Sequence, residues 1–322
     1  MCRFLLEHDL IPVVVSTCKE KEDARLREVC FGILGNLAAI PEMCQHLCGK
    51  DLQSQAITNL QSTHPALLNE VFRFLSGLFF NESSQVVWVE ILDEAVLSQI
   101  LLIFASTLDE GLCEKAALLI HQLCGHEKIL GVLVEKLDLM DVLGDLLQYK
   151  LASSYKNKKI NECPEMSSIL AMLEDLSTNA VVFPKIFVNQ NSISKSLMKI
   201  ILQSEEEIFI SACLSLVNIE MENPSSVLCD DIEFLKGLVS HMEFCLKEEI
   251  VVIFTILNEV SEQLLKDTSK HSKLITYLTG QIETLLESLN DLVIESYVIQ
   301  FFQNYNDLLI KLNQDNQDTK HI

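Results

Sequence analysis

The feature that most constrains this chain is a four-slot apolar pattern that occurs seven times along it. Its clearest copy lies in residues 26–39, LREVCFGILGNLAA, where Cys30, Phe31, Leu34 and Leu37 follow the i, i+1, i+4, i+7 rhythm of one buried helical face. The same slots hold Val71, Phe72, Leu75 and Leu78, then Ala116, Ala117, Ile120 and Leu123, then Ile169, Leu170, Leu173 and Leu176. The remaining copies are Ala212, Cys213, Leu216 and Ile219; Ile253, Phe254, Leu257 and Val260; and Val298, Ile299, Phe302 and Tyr305. Hydrophobic residues make up 49% of the chain, so a single match carries little weight and the near-constant step carries the signal.

Steps in the low-to-mid forties match the units of armadillo and HEAT solenoids, which are built from two or three helices. One such unit cannot bury its own apolar face, and stacking neighbours builds a continuous core. The expected fold is all-α: an armadillo-like or HEAT-like α-solenoid superhelix of about seven repeats over residues 1–312. The low content of turn formers, 10 Gly and 6 Pro, suits long helices with short connections. The one longer step, between Ala116 and Ile169, coincides with the polar stretch 148–164, QYKLASSYKNKKINECP, which reads as an inserted loop. Its lysines suit a solvated loop better than a nuclear import signal. The polar end, 313–322, reads as a disordered tail.

Charge and composition exclude several functions. The formal net charge of −22 opposes attachment to nucleic acid or anionic membrane and permits protein partners with basic segments. The longest apolar runs fall far short of the roughly 20 residues that span a bilayer. Arg3, Glu7 and Asp9 interrupt the opening apolar stretch, which therefore does not read as a signal peptide. The 11 cysteines have no framework spacing and suit reduced thiols in a core. Cys44, His46 and Cys48, and again His121, Cys124 and His126, do not offer the four converging ligands of structural zinc. With no glycine-rich phosphate loop and no HExxH, the expectation is no cofactor, no metal and no enzymatic activity.

A polar row accompanies the apolar one. Two residues after each third slot stand Asn36, Gly77, Gln122, Asp175, Asn218, Glu259 and Asn304. Six of the seven carry hydrogen-bonding side chains, and an Asn there can pair with both the N–H and the C=O of an extended peptide. Asn36, Gln122, Asp175, Asn218, Glu259 and Asn304 are thus a candidate partner-binding ladder. The competing reading is a row of solvated residues beside a buried stripe.

Asn36-Leu37-Ala38-Ala39 resembles the end of the third helix of an armadillo repeat, the helix that lines the concave groove. Importin-alpha-type grooves place a Trp one turn before the ladder Asn. Here those places hold Gly32, Arg73, Leu118, Ala171, Leu214, Thr255 and Gln300, so recognition of import signals is not expected. Leu26-Arg27-Glu28-Val29-Cys30, Gly32-Ile33-Leu34-Gly35-Asn36 and Val87-Trp88-Val89 followed by Ile91-Leu92 resemble the serum amyloid A-like protein family, an armadillo-type group. The resemblance implies a non-enzymatic nuclear protein, with the cytoplasm as the alternative, linked to regulation of cell proliferation. Members carry an acidic N-terminal segment that this sequence lacks, which implies a truncated chain or an isoform. The expected role is a protein-interaction scaffold that docks a partner segment along its concave face. The alternative is a structural subunit using its convex or terminal surfaces, and the sequence leaves the oligomeric state open.

Overall fold

The computed structural model describes residues 10–19, 23–157, 164–179, 181–182, 186, 193–203, 213–214, 216–217, 232–242, 247–266, 272–281 and 296–318. Every regular element among these residues is a helix. The chain divides into two compact units, Met1–Leu146 with Cys163–Met172, and Leu147–Glu162 with Leu173–Ile322.

The first unit begins with α1 (Leu10–Thr17), α2 (Ala24–Ala38), α3 (Pro41–Cys44, running into the 3₁₀ turn Gln45–Leu47) and α4 (Lys50–Asn59). It continues with α5 (Pro65–Phe79), α6 (Glu82–Val89), α7 (Glu94–Ser106), α8 (Glu110–Cys124) and α9 (Glu127–Glu135). Two further helices separate α2 from α5, and two separate α5 from α8, so the repeat has three helices rather than two. Capping sets the boundaries. The side chains of Asp23, Asp93 and Asp109 accept from the amides of Leu26, Val96 and Leu112 at 2.9, 2.9 and 2.8 Å. Pro41 and Pro65 occupy first turns, where the missing N–H costs no hydrogen bond.

The long helices carry the core. α2 packs on α5, and α5 on α8, through the apolar slots. All twelve slot residues of these three helices are at most 5% exposed. Edge-on aromatic contacts run from Phe31 to Phe74 at 5.8 Å and from Phe74 to Trp88 at 5.6 Å, so the chain's only Trp is a core residue of the α5–α6 corner.

The boundary between the units falls within α10 (Leu139–Asn157) and α11 (Pro164–Ser177). The second unit also holds α12 (Ile193–Gln203), α13 (Ile232–His241), α14 (Lys247–Lys266), α15 (Ser272–Gly280) and α16 (Ser296–Asp318). α14 packs on α16, with Phe254 and Phe301 edge-on at 5.7 Å. The slot residues of α11 and α14 are enclosed, as are Cys213 and Leu216 of the fifth copy, whose Ala212 and Ile219 lie outside the described residues.

Two sequence-based boundaries and one register change. Residues 148–157 belong to α10, not to an inserted loop, because Leu151 is enclosed one turn beyond the enclosed Leu147 and holds the helix on its apolar face. The extra length of the long step therefore goes largely into a helix, and 158–163 lie outside the described residues. Residues 313–318 continue α16 rather than starting a disordered tail, since extending an existing helix avoids the cost of nucleation. The register of α16 also differs. Val298, Phe301, Tyr305 and Leu308 are buried, while Ile299 is 48% exposed and Phe302 half-buried. α16 has a long helix of its own kind on one side only among the described residues, so a narrower stripe suffices.

In denaturant unfolding, Leu34→Ala and Leu257→Ala should each lower stability by roughly 2–5 kcal/mol, whereas Ile299→Ala should cost less than about 1 kcal/mol.

Candidate partner-binding face

The polar row starts on α2. The Asn36 Oδ1 accepts from Arg73 Nη1 of α5 at 2.7 Å. Arg73 Nη2 donates to the Gly32 carbonyl at 2.8 Å, and Arg73 Nε to Glu70 Oε2 at 2.8 Å, with Nη2 also paired to Glu70. The guanidinium lies against α2: a Cβ at Gly35 would sit 3.1 Å from Arg73 Cζ. On α5 the row reaches Gly77, its one gap. A Cβ there would lie 2.9 Å from the Ala38 Cβ and 3.1 Å from the Ala38 carbonyl carbon, so the missing side chain is what lets α5 approach α2. On α8, Gln122 is half-buried and its Oε1 has no partner among the described residues.

In the second unit, Asp175 is exposed on α11 and Glu259 is half-buried on α14. Asn304 is 7% exposed. Its Nδ2 donates to Asn258 Oδ1 at 2.9 Å and Glu262 Oε1 at 3.3 Å, and its Oδ1 accepts from Gln300 Nε2 at 2.9 Å. Asn218 lies outside the described residues. The first unit thus puts Asn36 and Gln122 on either side of α5, and the second puts Glu259 and Asn304 on adjoining helices.

Beside the row the first unit opens a hollow of about 470 Å³, lined by residues of α2, α5 and α8 that include Ala38, Arg73, Ser76, Gly77, Leu118 and Gln122. Phe80, the residue that ends α5, also lines it and is 86% exposed. Leu118 is 46% exposed. Ser76 is 8% exposed, and its Oγ, like Gln122 Oε1, has no partner among the described residues. Apolar walls, a bare aromatic ring and two unpaired oxygens make this a place for an amphipathic group. Periodicity alone does not show the hollow, because Phe80 and Leu118 fall outside the buried stripe. The Gly77 gap in the row is the one sequence signal beside it.

In the cysteine and histidine clusters Cys44 and Cys124 are buried and Cys48 is half-buried. The thiol of Cys44 donates to the Ala38 carbonyl at 3.2 Å and that of Cys48 to the Cys44 carbonyl at 3.3 Å, while His46 is exposed. Among the described residues no three His, Cys, Asp or Glu side chains group to hold a metal ion. Burial pushes the Cys18 and Cys124 thiols up to about 12 and raises Cys213 as well, which keeps them protonated and poor nucleophiles. Among the described residues no single helix is long and apolar enough to cross a membrane.

The fold is all-α and armadillo-like. A computationally designed armadillo repeat protein for modular peptide recognition superposes with a TM-score of 0.59 at 15% identity, covering 77% of this chain and 99% of that one. A designed armadillo repeat protein in complex with the peptide (KR)4 superposes with a TM-score of 0.57 at 14% identity, covering 78% and 99%. In sequence, the chain is similar to Protein SAAL1 of Homo sapiens, 29% identical over 123 residues, or 37% of this chain and 26% of that protein. It is also similar to Protein saal1 of Danio rerio, 27% identical over 128 residues, or 39% and 27%. The chain thus matches about a quarter of the length of these curated relatives. No family model matches it.

Mass-spectrometric mapping after iodoacetamide treatment should find Cys18, Cys124 and Cys213 unmodified in the native protein and modified once it is unfolded. Fast native labelling of any of the three would contradict their burial.

Proposed function

We propose that the chain is a non-enzymatic scaffold that binds a segment of a protein partner along the face formed by α2, α5 and α8. The observation that carries this is the open hollow beside the polar row, where Phe80 stands bare and two oxygens lack partners. A buried polar atom without a partner costs about 1–3 kcal/mol, so a ligand that satisfies these oxygens gains more than contact area. The structural likeness supports a peptide-like occupant, since one similar protein was designed for peptide recognition and another holds (KR)4. The net charge of −22 favours basic segments and disfavours nucleic acid and anionic membranes. The reading extends to a nuclear role tied to regulation of cell proliferation, which rests on the sequence resemblance alone.

A photo-crosslinking amino acid placed in cells at Leu118, in the hollow, or at Leu102, 59% exposed on α7, separates this from use of an outer surface. A discrete crosslinked partner should form from position 118 and not from 102. The reverse result would favour a structural subunit engaged through its other faces.

A further inference from the structure

We propose that the hollow between α2, α5 and α8 is an anchor site for one long cationic side chain, Arg or Lys, of a basic partner segment. The inference rests on the scaffold reading and names the chemistry of its occupant. Four independent features of the first unit agree on it.

The walls come first. Ala38, Leu118 and the exposed ring of Phe80 form an apolar lining that fits the methylene stem of Arg or Lys. A cationic head beside Phe80 also gains from the ring's negative face. Second, Ser76 Oγ and Gln122 Oε1, of residues that line the hollow, are enclosed and unpaired among the described residues, and a turn of either side chain toward the hollow would let it accept from a donor-rich head. Guanidinium and ammonium groups donate only, so each fits. Third, α2 and α5 end at the hollow, at Ala38 and Phe79, and neither has a basic side chain in its last turn. Their C-terminal ends favour a cation, and the N-termini of the shorter α3 and α6, which begin at the lining residue Pro41 and just after the lining residue Asn81, offset part of this.

Fourth, the rim repeats. Glu42 follows the lining residue Pro41, Glu82 follows the lining residue Asn81, and Glu127 holds the same place after α8. All three are exposed in the first turns of α3, α6 and α9. Each suits the dipole of its own helix. Glu42 and Glu82, next to lining residues, put negative charge at the edge of the hollow, while Glu127 is followed by the exposed Lys128. The one cation in the lining, Arg73, is paired with Glu70 and bonded to Asn36 and Gly32, so its charge is spent within the protein.

The test uses the full chain and three fluorescent peptides of equal length: alternating Lys–Arg, the same stems uncharged as acetyl-lysine and citrulline, and alternating Asp–Glu. In anisotropy titrations the Lys–Arg peptide should bind, the uncharged peptide at least about tenfold more weakly, and the acidic peptide not at all. Phe80→Ala and Gln122→Leu should each weaken the Lys–Arg peptide by about fivefold or more, with thermal unfolding unchanged. Leu102→Ala should leave binding as it is. Equal affinity for the charged and uncharged peptides overturns the cationic anchor. Tight Lys–Arg binding that ignores Phe80→Ala and Gln122→Leu shows diffuse attraction to an acidic protein and also overturns it. So does no Lys–Arg binding at all. In each of these cases a crosslinked partner at position 118 would leave the scaffold reading standing, and its loss would remove both.

Discussion

The structure of the first unit depends on how closely α5 can lie against α2. Two small positions set that distance. Gly77 has no Cβ where one would collide with Ala38, and Gly35 leaves the α2 surface bare where a Cβ would lie 3.1 Å from Arg73 Cζ. The guanidinium then reaches the Gly32 carbonyl and the Asn36 side chain, while Glu70 offsets its charge. The segment 32–36, GILGN, is thus a seat for an arginine one repeat further on, and Leu34 in its middle points into the core. A larger side chain at Gly77 would move α5 outward and disturb both the Phe31–Phe74 contact and the hollow.

This packing gives the polar row two kinds of member. Asn36 and Asn304 hydrogen-bond to neighbouring helices, so part of the row ties one long helix to the next. Gln122 has no such neighbour for its Oε1 among the described residues. On α8 the place that corresponds to Arg73 on α5 is Leu118, which makes an apolar wall there. The row therefore holds cross-linking members and one member with an unpaired, enclosed acceptor, Gln122, which lines the hollow.

What the sequence made legible follows from what periodicity encodes. Burying one face of each long helix demands the 3.6-residue stripe, and that demand located α2, α5, α8, α11 and α14 and their enclosed slots. It failed at α16, where one-sided packing moved the buried set to Phe301 and Leu308, because the stripe width depends on the neighbours present. It also failed at 148–157, where polar composition suggested a loop while the enclosed Leu151 keeps the helix on its core. The hollow was illegible for a further reason. It is space between helices, set by Gly77 against Ala38, and no periodicity in one helix reports the distance to the next.

The acidity of the chain needs a separate account, since −22 on 322 residues repels itself and lowers the stability of any compact state. Part of it has local uses. Asp23, Asp93 and Asp109 cap helices through bonds to backbone amides, and a neutral Asn does the same work at position 81 of α6. Capping therefore does not require the charge. The first-turn carboxylates Glu42, Glu82 and Glu127 each suit a helix dipole, and on the proposed reading the same charge also speeds the approach of a basic segment. Such attraction is long-ranged and indifferent to sequence, so discrimination among basic segments falls to short-range groups. On the proposed reading those groups are the ring of Phe80 and the oxygens of Ser76 and Gln122, all of residues that line the hollow.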